Sequence, residues 1–131
     1  MTKILFVCWG NVGRSQMAQA YYDHFTKSND AFSAGTDPDS PKKYPEMSKV
    51  FCDLMLEEGI DMSDQFVKLI KKRYVDKADK IYVLCEKKYC PDYLLKSDKV
   101  TFWKVDDPEF MSPRAMRKIR NQIKTLVLSI T

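Results

Sequence analysis

The sequence predicts a three-layer α/β sandwich: a four-stranded parallel sheet of strand order 2-1-3-4 with helices on both faces. Three observations carry that expectation. Strand-like apolar runs alternate with helix-like stripes along the chain, the alternation that builds parallel sheets through right-handed crossovers. The first run, Lys3 to Cys8, is almost continuously apolar, as a strand buried on both faces must be. It stops at Trp9-Gly10-Asn11, and in open α/β sheets ligands bind beyond the C-terminal ends of the strands.

The elements follow in order. From Ser15, the residues Met17, Ala18, Tyr21 and Phe25 recur at helical spacing until a stop at Ser28-Asn29, which predicts a first helix. Ala31 to Ala34 reads as a short strand closed by Gly35, and the polar stretch Thr36 to Pro45 as a loop. Met47, Val50, Phe51, Leu54 and Met55 form an i, i+3, i+4, i+7, i+8 stripe, a second helix with Gly59 as its C-terminal cap and Cys52 beside the stripe. Lys80 to Leu84 and Val100 to Val105 read as buried strands, separated by a stretch holding Cys85, Cys90 and Pro91. After Pro113 a last helix presents Met116, Ile119, Ile123, Leu126, Val127 and Ile130, with Arg117, Arg120 and Lys124 outside the stripe.

Composition narrows the functional classes. A chain of 131 residues that is 44% hydrophobic is expected to make a single domain, 1–131. Its apolar runs are only a few residues long and the first strand begins at once, so neither a membrane span nor a secretory leader is expected, and the localisation is read as cytoplasmic. In that reducing compartment four cysteines point to catalytic or redox thiols rather than to disulfides. The formal net charge of +4 suits an anionic substrate without requiring one. The basic clusters Lys68, Lys71, Lys72, Arg73 and Arg114, Arg117, Lys118, Arg120 lack interleaved aromatics and read as solvated helix faces, with no nucleic-acid partner.

The informative segment is Cys8-Trp9-Gly10-Asn11-Val12-Gly13-Arg14-Ser15, between a predicted strand and a predicted helix, where backbone amides and a helix N-terminus converge on an anion. A cysteine facing those amides and Arg14 is expected to ionise readily and act as nucleophile. The Arg14 guanidinium can grip two oxygens of a tetrahedral oxyanion, Gly10 and Gly13 allow a tight cradle, and Ser15 can donate to the thiolate. No Gly-Lys-[Ser/Thr] follows, so this is not a nucleotide-type phosphate loop. His24, the only histidine, is placed as a boundary residue on the first helix, which disfavours Cys-His catalysis and a histidine metal site.

Lys3 to Gln19, with Ser33-Ala34-Gly35, Leu84-Cys85 and Asp106-Asp107-Pro108, resembles the low-molecular-weight protein tyrosine phosphatases and their relatives, the thioredoxin-coupled arsenate reductases. The resemblance implies that Asp107, directly before Pro108, is the acid that protonates the departing oxygen. It implies the reductase branch through Gln16, where phosphatases usually carry proline, and through the aromatic run Thr101 to Trp103 leading into Asp-Asp-Pro. Cys85 and Cys90 match the reductases' two resolving cysteines at a shorter spacing, and Gly13 stands where most relatives have a second loop cysteine. Many reductases hold potassium with acidic residues at the positions of Gln19 and Lys68. Neither a metal nor a cofactor is therefore expected, and the Lys68 ammonium is expected behind Asn11 and Ser33.

The leading reading is arsenate reduction through a Cys8, Cys85, Cys90 relay recycled by thioredoxin. The alternatives are hydrolysis of phosphotyrosine or an aryl phosphate through a phosphocysteine, and an oxyanion-binding regulatory module without turnover. Cys8, Arg14 and Asp107 should converge on one pocket rimmed by Trp9 and Phe110. A regular helix between Cys85 and Cys90 would hold their α-carbons about 8.7 Å apart, beyond the roughly 7 Å reach of a disulfide. Glu86 to Tyr89 is therefore expected to be an exposed loop or weak helix.

Overall fold

The computed structural model describes residues 2–131. Strand β1, Ile4–Cys8, is buried along its whole length because it lies inside the sheet, between β2 (Ala31–Gly35) and β3 (Lys80–Val83). Strand β4 (Val100–Phe102) pairs with β3, every pairing is parallel, and the order β2-β1-β3-β4 is the predicted one. The register sets Cys8 against Gly35 and Val7 against Val83, so Cys8 lies at the C-terminal edge of the sheet.

Strand β4 differs from expectation: it ends at Phe102 rather than Val105 and is half-buried or exposed. As an edge strand it has one neighbour, and after the Trp103 amide bonds the Val83 carbonyl at 2.8 Å the chain leaves the ladder toward the site. Val105 is nonetheless buried beyond the strand.

Helix α1 (Arg14–Thr26) lays Met17, Ala18 and Tyr21 into the core and ends at Lys27, in the left-handed region at φ 52°. The expected loop 36–45 contains one turn of helix, α2 (Ser40–Lys43). Helix α3 (Lys49–Leu56) starts after Met47, and the Ile60 amide closes back on the Met55 carbonyl at 3.0 Å over Gly59, whose φ of 75° suits glycine. Two short helices that the periodicity did not reveal follow, α4 (Lys72–Lys77) and α5 (Asp92–Leu95), with a 3₁₀ turn at Lys87–Tyr89 between them. Helix α6 (Pro113–Leu128) begins at Ser112, whose hydroxyl caps the Ala115 amide at 3.2 Å. α1 packs on α6 and α4 on α5. Right-handed crossovers running in opposite directions along the sheet place these pairs on opposite faces.

Two basic residues assigned to solvated faces are buried instead. Arg120 donates to the Leu54 carbonyl at 2.9 Å and to Glu57 at 2.6 Å, tying α6 to the end of α3. Hydrogen bonds from Arg117 and Arg120 hold the Glu57 carboxyl down at about 2. Lys68 is the other, and it belongs to the site. Among the described residues, no helix is long and apolar enough to cross a membrane.

Candidate active site

Between β1 and α1 the chain wraps around the Cys8 sulfur. Cys8 Sγ is buried, lies 2.9 Å from Ser15 Oγ and accepts the Asn11 backbone N–H at 3.2 Å. Asn11 adopts φ 56°, a left-handed conformation that asparagine tolerates, and this turns its amide toward the sulfur. The Asn11 side-chain amide donates to Ser15 Oγ at 2.8 Å, which leaves the serine proton free for the thiol. Its carbonyl oxygen accepts from Gln16 Nε2 and from the Lys68 backbone N–H, both at 3.0 Å.

The cradle is clamped from two sides. A Cβ on Gly35 would lie 2.8 Å from the Trp9 carbonyl and 2.9 Å from Asn11 Cβ, so only glycine lets the end of β2 approach the loop. A Cβ on Gly13 would come within 2.8 Å of the Phe51 ring, which fills the place a larger loop residue would need.

Arg14 opens α1 with its side chain buried beneath the strand ends. Nη1 donates to the Leu84 carbonyl at 2.6 Å and the Val105 carbonyl at 3.0 Å, while Nη2 lies 3.8 Å from Asp107 Oδ2. Asp107 is half-exposed and accepts the Glu109 amide at 3.0 Å. A pocket of about 320 Å³ opens above Cys8, with Trp9 and Phe110 on its margin and Tyr44, Val50, Phe51 and Met116 among its walls. Phe110 is 95% exposed. Val50, expected in the core stripe of α3, faces this pocket because α3 turns only Phe51, Leu54 and Met55 fully inward. A second recess of about 600 Å³ shares Trp9, Arg14 and Asp107 with the first and continues past Cys85, Tyr89 and Trp103.

Behind the loop, Lys68 is buried and its ammonium lies 4.5 Å from the Phe32 ring centre and 4.6 Å from that of Phe66. It donates to Ser33 Oγ at 3.3 Å and to the Phe66 carbonyl at 2.9 Å, and Ser33 in turn donates to Gln19 at 2.7 Å. Burial pushes the Lys68 amine down to about 8.

Cys85 is buried just beyond β3, and Cys90 is half-buried after the 3₁₀ turn. Cys90 Sγ donates to the Glu86 carbonyl at 3.7 Å. The neighbouring Cys90, then burial and the nearby Cys8, push the Cys85 thiol up, whereas Cys85 pushes the Cys90 thiol down.

The structure thus brings Cys8, Arg14 and Asp107 to one pocket with Ser15 buried behind the sulfur, places Cys85 in the adjoining recess that shares Arg14 and Asp107 with Cys90 beyond the 3₁₀ turn, and sets Ser33 and Lys68 beneath the loop against Asn11. His24 is exposed on α1. No group of three or more His, Cys, Asp or Glu side chains suited to a metal occurs among the described residues. Gln16, noted in the sequence only as a family marker, is fully buried and bonds Asn11 and the Phe66 carbonyl, while Gln65 bonds it at 2.7 Å. Its position among inward-facing residues of α1 was the one available signal. Tyr44 and Glu109, joined by a 3.1 Å hydrogen bond at the pocket, left none.

No curated protein sequence matches the chain significantly. Among solved structures, an arsenate reductase in a phosphate-binding state is 27% identical, with a TM-score of 0.83 over 99% of this chain and 96% of that one. The arsenate reductase of Archaeoglobus fulgidus is 28% identical, with a TM-score of 0.79 over 98% of each chain. A low molecular weight protein tyrosine phosphatase from T. tengcongensis, 23% identical, shares the fold at a TM-score of 0.82 over 99% of this chain and 97% of its own. The model of the low molecular weight phosphotyrosine protein phosphatases matches residues 3–130, and with the loop geometry at Cys8 that match means the chain belongs to this family.

Proposed function

We propose that the chain, acting as one domain over residues 1–131, reduces arsenate to arsenite. The observation that carries this reading is the placement of Cys85, buried at the recess that also holds Arg14 and Asp107, with Cys90 one 3₁₀ turn beyond it, since a hydrolase has no use for two further thiols at that place. Cys8 attacks arsenate held by the backbone amides of Trp9 to Arg14 and by the free edge of the Arg14 guanidinium, and Asp107 protonates the departing hydroxyl. Cys85 then attacks the Cys8 sulfur. A Cys8–Cys85 disulfide forms, the sulfur–arsenic bond breaks, and arsenic leaves with the electron pair as arsenite. The proton that Cys85 loses goes to the departing arsenite oxygen; the Cys90 thiolate next attacks Cys85, a Cys85–Cys90 disulfide forms and Cys8 leaves as thiolate. An external dithiol of the thioredoxin type, in a reducing cytoplasm, recycles the Cys85–Cys90 disulfide.

Lys68 supports the loop from beneath, its backbone N–H bonding Asn11 and its buried ammonium bonding Ser33, where the ammonium takes the place of a bound cation. Cys8 has two polar partners for its thiolate in Ser15 and the Asn11 amide.

One observation favours a second reading. The 320 Å³ pocket is roomier than an inorganic oxyanion requires, and its aromatic margin suits an aryl phosphate attacked through the same Cys8 and Asp107. Parallel assays of arsenate turnover with thioredoxin and of aryl phosphate hydrolysis, in wild type, Cys8→Ser and Cys90→Ser, separate the two. The reductase reading expects Cys8→Ser to lose both activities and Cys90→Ser to lose arsenate turnover alone. Arsenate turnover undiminished in Cys90→Ser would overturn it, and phosphate binding without either activity would leave only the regulatory module.

A further inference from the structure

The turn that carries Asp107 is anchored at its ends and loose at its tip. Pro108 is buried and Met111 packs against the core, with the Met111 amide closing the turn on the Pro108 carbonyl at 3.1 Å. Between them Phe110 adopts φ 63°, a left-handed conformation that a bulky aromatic residue rarely enters. Its ring is almost wholly exposed, so packing does not hold it there. A conformation of that kind persists only where its surroundings fix it.

A fixing contact comes from across the pocket. Tyr44, directly after α2, donates its hydroxyl to Glu109 Oε1 at 3.1 Å, although 65 positions separate the two residues in sequence. Among the described residues this is the only hydrogen bond that ties residues 108–110 to any part of the chain outside 107–111. Glu109 in turn donates its backbone N–H to Asp107 Oδ1 at 3.0 Å. A hold on the Glu109 side chain is thereby passed to the carboxylate. Arg14 does not replace it, since 3.8 Å between Nη2 and Asp107 Oδ2 is beyond hydrogen-bond reach. The Glu109 carboxylate also pushes the Tyr44 hydroxyl up, so the phenol keeps the proton it donates.

We infer that Tyr44 is a positioning residue for the Asp107 acid: its bond to Glu109 straps the acid turn to the segment after α2 and fixes the orientation of the Asp107 carboxyl at the pocket above Cys8. With Oδ1 occupied by the Glu109 amide, the transferable proton sits on Oδ2. Tyr44 itself transfers no proton. The inference rests on Asp107 acting as the acid, which the reductase and phosphatase readings share.

The test is a double-mutant cycle of Tyr44→Phe with Asp107→Asn, run on arsenate turnover and on phenyl phosphate hydrolysis. Tyr44→Phe keeps the ring, should retain the wild-type thermal transition, and is expected to lower kcat about 10-fold with KM little changed. In the Asp107→Asn background it should lower nothing further. Glu109→Gln, whose amide oxygen still accepts from Tyr44, should stay near wild type, whereas Glu109→Ala should match Tyr44→Phe. Among aryl phosphates the loss should shrink toward none for 4-nitrophenyl phosphate, whose leaving group needs little protonation. NMR order parameters of the Glu109 and Phe110 amides, read with phosphate bound, should fall in Tyr44→Phe while those of α1 hold. Unchanged order parameters overturn the inference, as does a Tyr44→Phe loss that persists in full in Asp107→Asn. Turnover lost in Asp107→Asn but unmoved in Tyr44→Phe defeats the inference alone. Turnover undiminished in Asp107→Asn, or a wild type with neither activity, defeats the acid reading and the inference with it.

Discussion

Two neighbouring parallel strands, β1 and β3, each end in a cysteine-bearing segment, and the chain treats the two segments differently. After β1, Cys8 to Ser15 is buried or half-buried except for Trp9, and Asn11, Ser15 and Gln16 satisfy one another's polar groups within hydrogen-bond distance. After β3, Glu86 to Tyr89 is exposed, holds only one turn of 3₁₀ helix and packs no fully buried side chain. The first segment must hold fixed donors around a developing charge, which is effective only when the donors do not have to reorganise. In the proposed relay the second carries a thiol that exchanges partners and meets a reductant, a task that local freedom serves. The contrast teaches that rigidity in this fold follows the oxyanion, not the sheet as a whole.

The largest expected effect lies on the rigid side. Arg14→Lys keeps the charge but loses the planar fork that bonds Leu84 and Val105 while facing the substrate, and kcat/KM should fall about 100-fold or more. Steady-state kinetics on either substrate checks this, and a loss of only a few fold would mean that the loop amides do the binding.

Lys68→Met probes the same rigidity from beneath, with activity and stability expected to move in opposite directions. Kinetics should show a loss of about 10-fold as Ser33 loses its ammonium partner, the backbone bond to Asn11 being kept. Stability should not fall at pH 7, because a folded-state amine at about 8 in place of its ordinary 10.5 means that burying the charge opposes folding. The unfolded chain binds more protons than the folded one between about pH 8 and 10.5, so this group makes stability rise with pH across that window. In Lys68→Met the rise should vanish from pH-dependent denaturation. In wild type the activity should decline above about pH 8 as the ammonium is lost.

Gly13→Ala should cost about 1–3 kcal/mol through its clash with Phe51, measured by denaturant unfolding. Phe51→Leu in the same chain should recover part of that, and independent, additive effects would show that the two residues do not meet.

The smallest effect belongs to the mobile side. Lys88→Gly should leave the thermal midpoint and phosphate affinity nearly unchanged, since its side chain is exposed and its partners, Glu86 at 3.6 Å and the Tyr89 ring at 5.1 Å, are exposed too. Hydrogen exchange should show residues 86–90 exchanging far sooner than residues 14–22 of α1. Equal protection in the two segments would erase the comparison.

Much of the site was legible because its chemistry is local in sequence. Cysteine, two glycines, arginine and serine within eight residues make a cradle whatever surrounds them. The supports come from elsewhere: Lys68 was placed behind the loop by the family resemblance alone, its own segment reading as a basic surface run, and Gln16 lies on a helix face whose polar member looked incidental. Arg120 misled for the same reason, since a helical stripe shows which residues are apolar but not where a long side chain finds a carbonyl and a carboxylate under a neighbouring helix.

By itself the sequence determined the alternation of strands and helices, the positions of the long helices and the loop at Cys8, since apolar periodicity acts along the chain. Only the tertiary structure decided that Cys85 is buried beside the site with Cys90 half-buried across a 3₁₀ turn, that Phe51 occupies the space beside Gly13, and that a lysine ammonium lies between two aromatic rings beneath the cradle. Those facts depend on atoms far apart in sequence packing at van der Waals distance, and no local pattern fixes such a distance.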